Sequence, residues 1–262
     1  MRILVTGAAR AIGAATCREL TSAGHEVIAT ARDTSTLADL GVAQIHELDV
    51  TDDLSVDAAL DAAGEIDGIV NNAALPGYTP VESIPLAHLR SMLETNTLGP
   101  LRLIQRVLPT WRRRGSGVIV NVSSVQGRVA SPLEGAYAAT KFGLEALSES
   151  LHYEVSHFGI RVVLIEPGYI APGMKPTEPL PYPEDYQGLY DEWVGTDTKV
   201  VGPGGRPGPE LVAQAIVSAF DDPSTPLRVP VGDDASMILS ARSSLDDQAF
   251  ESAMRGVLGL SW

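Results

Sequence analysis

Thr6-Gly7-Ala8-Ala9-Arg10-Ala11-Ile12-Gly13, entered through the apolar run Ile3-Leu4-Val5, decides the fold of this 262-residue chain. Small residues at 7, 8, 9, 11 and 13 let the backbone turn tightly from a strand into a helix and come close to a phosphate. The helix N-terminus beyond the turn offers unpaired N–H groups and the positive end of its dipole. Taken alone, the turn also fits close packing of a helix on a strand with no ligand, so the rest of the chain must decide.

Working outward, strand patterns recur at Arg2-Thr6, Glu26-Thr30, Ala43-Glu47, Gly68-Asn71, Gly117-Val122, Ile160-Ile165 and, last, Leu227-Val231. Runs such as Val118-Ile119-Val120 and Val162-Val163-Leu164-Ile165 are apolar without alternation, as expected of strands covered on both faces. Helical patterns lie between them at Ile12-Ala23, Leu54-Ala63, Leu86-Trp111, Ala136-His157 and Pro209-Phe220, with Gly24 and Gly159 where helices should stop. The alternation predicts an α/β fold: a single-domain, Rossmann-type, doubly wound parallel sheet of about seven strands with helices on both faces. The domain spans residues 1–262. An insertion at about 170–209, rich in Pro, Gly and aromatic residues and too long for an ordinary connection, is expected to form a substrate lid.

Bulk properties narrow the function. A formal net charge of -14 disfavours contact with nucleic acid or an anionic membrane surface. No apolar run reaches the roughly 20 residues that span a bilayer, and Met1 to Thr6 already read as a strand rather than a signal peptide. A cytoplasmic protein is expected. Cys17 is the only cysteine, which rules out an intrachain disulfide. The five histidines show no metal-ligand spacing, so no metal is expected. Asn121-Val122-Ser123 has the form of a glycosylation acceptor but falls on a strand expected to be buried.

The chemistry is concentrated in Tyr137-Ala138-Ala139-Thr140-Lys141, preceded by Ser123-Ser124 at the end of a strand. Tyr137 and Lys141 are four apart and share one helix face. A tyrosine with a reference pKa of about 10 is a poor base at neutral pH, and an ammonium beside it should lower that value by about 1–3 units. Tyr137 then becomes usable as a general acid or base, and the Ser124 hydroxyl can donate to a substrate oxygen on which charge develops.

Together with the glycine turn and Asn71-Asn72-Ala73-Ala74 after the fourth strand, these residues resemble the short-chain dehydrogenase/reductase (SDR) family over nearly the whole chain. The turn departs from that family's Thr-Gly-x-x-x-Gly-x-Gly pattern at Ala11, and the asparagine segment departs at Ala74. The resemblance implies a tetrad of Asn96, Ser124, Tyr137 and Lys141, with Asn96 holding a water that links the lysine to solvent. It also implies cofactor contacts from Gly7, Ala9, Arg10, Ala11, Ile12 and Gly13 in the turn, Asp49 and Val50 against the adenine, Asn72, Ala73 and Ala74, Tyr137 and Lys141, and Pro167, Gly168 and Ile170 beside the nicotinamide. Where many members have a threonine after that Pro-Gly segment, this chain has Pro172.

Charge selects the nucleotide. The position of the acid that would bind a ribose 2′-OH is Ala31, followed by Arg32, and Arg10 lies within the turn; two guanidinium groups suit a 2′-phosphate, with Asp33 the dissenting residue. The expectation is an NADP(H)-dependent oxidoreductase interconverting a small-molecule ketone and its secondary alcohol. An apolar cyclic or aromatic ketone would suit the aromatic lid. Two other readings stand beside it: an NADP-binding regulator without turnover, and an SDR-type epimerase or double-bond reductase. The resemblance further implies a homodimer or homotetramer packed through Leu86-Trp111 and Ala136-His157.

Overall fold

Seven strands, β1 (Arg2–Val5), β2 (Glu26–Ala31), β3 (Gln44–Glu47), β4 (Gly68–Asn71), β5 (Gly117–Val122), β6 (Ile160–Pro167) and β7 (Arg228–Val231), build one sheet in the order β3-β2-β1-β4-β5-β6-β7. Every neighbouring pair is parallel. The helices are α1 (Ala11–Ser22), α2 (Asp53–Ala63), α3 (Leu86–Leu93), α4 (Gly99–Arg114), α5 (Gly135–Val155), α6 (Gln187–Trp193), α7 (Asp197–Val200), α8 (Glu210–Asp221), α9 (Asp233–Ser244) and α10 (Asp247–Leu258). The structure, a computed structural model, describes residues 1–174, 180–193, 195–201 and 204–262.

The non-alternating strand runs are explained by two cores. Ile3, Val5, Val118, Val120 and Val163 point to a core closed by Cys17 and Leu20 of α1 and by Val212, Ile216 and Phe220 of α8. Their neighbours Leu4, Ile28, Ile69, Ile119 and Val162 point the other way, onto Val56 and Ala59 of α2 and Leu103, Val107 and Trp111 of α4. Because strand side chains alternate sides, a sheet covered on both faces needs an apolar residue at every position. The Trp111 indole N–H donates to the Ile66 carbonyl at 2.9 Å, so its polar atom is satisfied inside the core.

The strand order reverses between β1 and β4, which opens a crevice at the C-terminal ends of the strands, the usual ligand position in such sheets. Thr6 and Asn72 hold this point. The Thr6 hydroxyl accepts from the backbone N–H groups of Asn72 and Ala73 at 3.0 and 3.1 Å, while the Asn72 amide donates to the Thr6 and Gly7 carbonyls at 3.0 and 3.1 Å.

The single helix expected over Leu86-Trp111 is two helices. Between α3 and α4 the backbone widens into a π-turn over Glu94–Leu98. Pro100 has no N–H to give the Asn96 carbonyl, so one rung of the regular ladder is missing where the π-turn falls. The inserted turn buries Asn96, whose amide accepts from Leu75 N at 2.7 Å and donates to Leu75 O at 2.9 Å and Thr140 Oγ1 at 3.0 Å. The C-terminal helices α9 and α10, for which the pattern reading had no counterpart, pack Ile238 and Met254 around Val125 and Val129 just beyond β5.

Helix α5 is tied to the sheet at two levels. In the interior, Asn71 donates to Asn121 at 2.8 Å and Asn121 donates to the Ser148 hydroxyl of α5 at 2.8 Å. Asn121 is fully buried, which agrees with discounting it as a glycosylation acceptor. At the edge, Arg228 of β7 reaches Glu145 and Glu149 of α5 at 2.9 and 2.5 Å and Glu166 of β6 at 3.7 Å.

Ser148→Ala leaves the Asn121 amide without its acceptor in the core, which should cost about 1–3 kcal/mol. The check is the urea midpoint at unchanged slope; an unshifted midpoint would show that the chain through Asn121 does not hold α5.

Candidate active site

A cavity of about 190 Å³ opens at the crevice. Ala11, Ile12, Asn72, Ala74, Ser124, Tyr137, Lys141, Pro167, Gly168 and Ile170 all border it, so residues anticipated from five separate stretches of sequence meet in one place.

The glycine turn is tightly constrained. Gly7 has φ +64°, and a Cβ there would lie 2.9 Å from Ala73 Cα. A Cβ on Gly13 would lie 2.2 Å from the Gly7 carbonyl oxygen. Ala11, in the place of the family's middle glycine, has φ +41°, a left-handed conformation that costs an alanine roughly 1–2 kcal/mol. Ala9 and Ile12 pack partly into the core, and Arg10 is exposed.

At the end of β2, Ala31 is buried and Arg32 is exposed. Asp33, the dissenting acid, is turned away: it caps the following 3₁₀ turn by accepting from Ser35 N at 3.0 Å and Ser35 Oγ at 2.6 Å. Those hydrogen bonds lower its pKa. Partial burial raises the Asp49 carboxyl, but hydrogen bonds from Thr51 N and Oγ1, with Arg32 and Arg102 nearby, outweigh it and hold the group below the ordinary range. The Val50 side chain is core, set against Gly99. Ala73 is half-buried beside the Thr6 hydroxyl.

Ser124 stands just past β5, where its hydroxyl accepts from Gln126 N at 3.1 Å and faces the Pro167 carbonyl at 3.4 Å. Lys141, buried on α5, donates to the Val122 carbonyl at 2.7 Å, with its Nζ 5.7 Å from the Tyr137 ring centroid. Burial lowers the Lys141 pKa to about 8, against the opposing pull of Glu145. Tyr137 differs from the sequence expectation. Burial, reinforced by the Glu134 carboxylate, raises its pKa, and a hydrogen bond with Ser124 only partly offsets this. The Lys141 ammonium donates to a backbone carbonyl rather than to the phenol, and burial dominates the Tyr137 pKa.

Several groups at the cavity were not anticipated. Asp234 of α9 accepts from Tyr169 N at 2.7 Å, and a Cβ on Gly168 would lie 2.1 Å from its Oδ2, so it holds the Pro167-Gly168-Tyr169 segment in place. Glu134 lies one turn before Tyr137 and is 8% exposed. Its spacing from Tyr137 was visible, but nothing local in the sequence signals that this carboxylate faces inward. Within the 170–209 stretch, Met174, Trp193 and Val200 line the cavity. The tyrosines instead stack elsewhere, Tyr182 on Tyr190 at 5.5 Å and Tyr186 on Trp262 at 6.4 Å between ring centroids. Residues 175–179, 194, 202 and 203 of that stretch lie outside the described residues. Among the described residues no cluster of His, Cys, Asp or Glu could hold a metal, and no helix is long and apolar enough to cross a membrane.

A family model described as short chain dehydrogenase matches residues 1–180. An uncharacterized oxidoreductase of Schizosaccharomyces pombe is 33% identical over 211 residues, covering 79% of this chain and 87% of that protein. A crystal structure of a short-chain dehydrogenase from Streptomyces avermitilis superposes with a TM-score of 0.80 at 34% identity, covering 97% of each chain. A short chain dehydrogenase from Burkholderia cenocepacia, solved in complex with NADP, superposes with a TM-score of 0.77 at 25% identity, covering 98% of this chain and 96% of that one.

Burial raises the Glu134 carboxyl from 4.5 to about 7, against hydrogen bonds from Tyr78 and Gln126 and the nearby Arg206. Within that window the folded chain keeps a proton that the unfolded chain releases, so this group's contribution to stability falls as pH rises from about 4.5 to beyond 7. Glu134→Gln should therefore gain about 2–3 kcal/mol on the wild type between pH 5 and pH 8, or roughly 4–8 °C in melting temperature. Parallel melting curves against pH for the two proteins would refute the assignment.

Proposed function

This chain belongs to the short-chain dehydrogenase family, and we propose that it is an NADP(H)-dependent oxidoreductase that interconverts a ketone and a secondary alcohol, with Tyr137 as its general acid and base. The observation that carries the reading is convergence: Ser124, Tyr137 and Lys141 border the same cavity as the glycine turn.

The turn fits a dinucleotide. Gly7 and Gly13 keep side chains out of a space already bounded by Ala73 and Asn72, and α1 begins there with its N-terminus free to face a pyrophosphate. For the choice between nucleotides, Ala31 offers no acid to a 2′-OH, Asp33 is engaged by Ser35, and Arg10 and Arg32 stand exposed on either side. The Burkholderia relative carries NADP, which accords with this choice.

A bound nicotinamide supplies the hydride for reduction and takes it up in oxidation. The protein's own groups do the rest. Ser124 orients the carbonyl by donating to its oxygen. Tyr137, whose raised pKa keeps its proton at neutral pH, gives that proton to the same oxygen, and Lys141 in its ammonium form steadies the phenolate left behind. Asn96 positions the Lys141 segment through Thr140. Residues 170–209 cover the substrate, with Met174, Trp193 and Val200 as the apolar underside. Exposed Phe142, Leu147 and Tyr153 on α5 support packing against a second copy of the chain.

The test follows reduced-cofactor absorbance over a panel of cyclic, aromatic and aliphatic ketones. Turnover should prefer NADPH over NADH by at least about tenfold, the low end of one charge-assisted contact, and Arg32→Ala should narrow that gap. Tyr137→Phe should lose about 10²- to 10⁴-fold in kcat while still quenching on NADPH binding. Equal use of NADH, or an active Tyr137→Phe protein, would overturn the proposal.

A further inference from the structure

The polar wall of the cavity has no role in the chemistry above. Most of the remaining lining is apolar, with Val125, Val129, Ile238 and Met254 among it. On one side Tyr78, Gln126, Ser131 and Glu134 stand together. The Gln126 amide nitrogen donates to Glu134 Oε2 at 2.5 Å and to the Ser131 hydroxyl at 2.7 Å, and the Tyr78 hydroxyl donates to the same carboxylate. The charged and titratable groups that feel Glu134 are Tyr78, Tyr137 and Arg206.

A glutamine at 134 could accept both hydrogen bonds without an ionisable group in a dry place, and burial works against the charge there. A carboxylate has about four acceptor positions, of which Tyr78 and Gln126 take two. Glu134 is the residue immediately before α5 and Tyr137 lies in its first turn; both border the cavity, and the Glu134 carboxylate is close enough to act on the Tyr137 phenol. A substrate whose oxygen is held by Tyr137 therefore meets Glu134 at a neighbouring point of the same wall.

We infer that Glu134, braced by Tyr78 and Gln126, is a second polar anchor that selects ketones bearing a hydrogen-bond donor, hydroxyl or ammonium, close to the carbonyl. The inference deepens the proposed ketone chemistry and rests on it. The donor end meets Glu134, the carbonyl meets Ser124 and Tyr137, and the rest of the substrate lies along Val125, Val129 and Ile238.

The experiment compares three size-matched substrates: a phenylalkyl methyl ketone and its analogues with a hydroxyl or an ammonium group on the methyl carbon. Wild type should favour at least one donor-bearing ketone by tenfold or more in kcat/KM, chiefly through KM. Glu134→Ala should bring that ratio close to one, and Tyr78→Phe should reduce it in part. Glu134→Gln separates the two sources: a preference kept in this variant means a neutral hydroxyl, and one lost means an ammonium. Equal kcat/KM for all three ketones in wild type, or a preference that survives Glu134→Ala, would refute the anchor. If no ketone turns over, the ketone reading itself fails. The anchor is then read from ligand-induced melting shifts with the matching alcohols. A larger shift for the donor-bearing alcohol that vanishes in Glu134→Ala supports it, and equal shifts remove it.

Discussion

The lock between Thr6 and Asn72 is the constraint on which the crevice depends. β1 and β4 are neighbours in the sheet, but their continuations leave in opposite directions, and nothing in the strand ladder holds those departures together. One hydroxyl and one amide do so, satisfying backbone groups on both sides that the end of the ladder would otherwise leave unpaired. The same contacts set the distance between the glycine turn and the asparagine segment, and so the width of any ligand lying between them. Gly7 and Gly13 follow from that closeness: with Ala73 and Asn72 held so near, no Cβ fits.

Most of this framework can be read from the chain because its signals are local. Strands buried on both faces are written as unbroken apolar runs, and Tyr137, Lys141 and Ser124 are tied by short spacings to one helix and one strand end. The parts that could not be read depend on long-range partners. Asp33 looks like an acid beside a phosphate until Ser35 is seen to occupy it. Glu134 is an ordinary glutamate until Tyr78, 56 positions earlier, and Gln126 enclose it. Helices α9 and α10 pack on the apolar ledge of Val125 and Val129; α9 shows no apolar stripe of its own, whereas α10 carries one in Phe250, Met254 and Leu258. Of the aromatics in the 170–209 stretch, Trp193 lines the cavity beside Met174 and Val200, while Tyr182, Tyr186 and Tyr190 stack on one another and on Trp262.

The electrostatics of the cavity share one theme. Burial pushes Glu134 and Tyr137 up and Lys141 down, each toward its neutral form. In such surroundings a charge that develops during reaction is felt more strongly by its neighbours than it would be in open water. Lys141 and Glu145 sit on successive turns of α5, and Arg228 balances the second from β7. The helix that carries the reactive face is thus also charge-paired to the sheet edge through Glu145 and Glu149.

The π-turn between α3 and α4 carries a consequence for how this chain can vary in length. It inserts a residue into an otherwise continuous helical path, so α4 is out of phase with α3 by about 100°, the rotation of one residue. Leu103, Ile104, Val107 and Trp111 face the sheet only because of that offset. Removing any one residue from 94–98 would take away that offset and swing this stripe toward solvent, bringing Arg102 and Arg106 round toward the core. Relatives that keep this fold should therefore conserve the spacing from Asn96 to Trp111 to the residue, while remaining free to lengthen or shorten the loop that precedes Leu86.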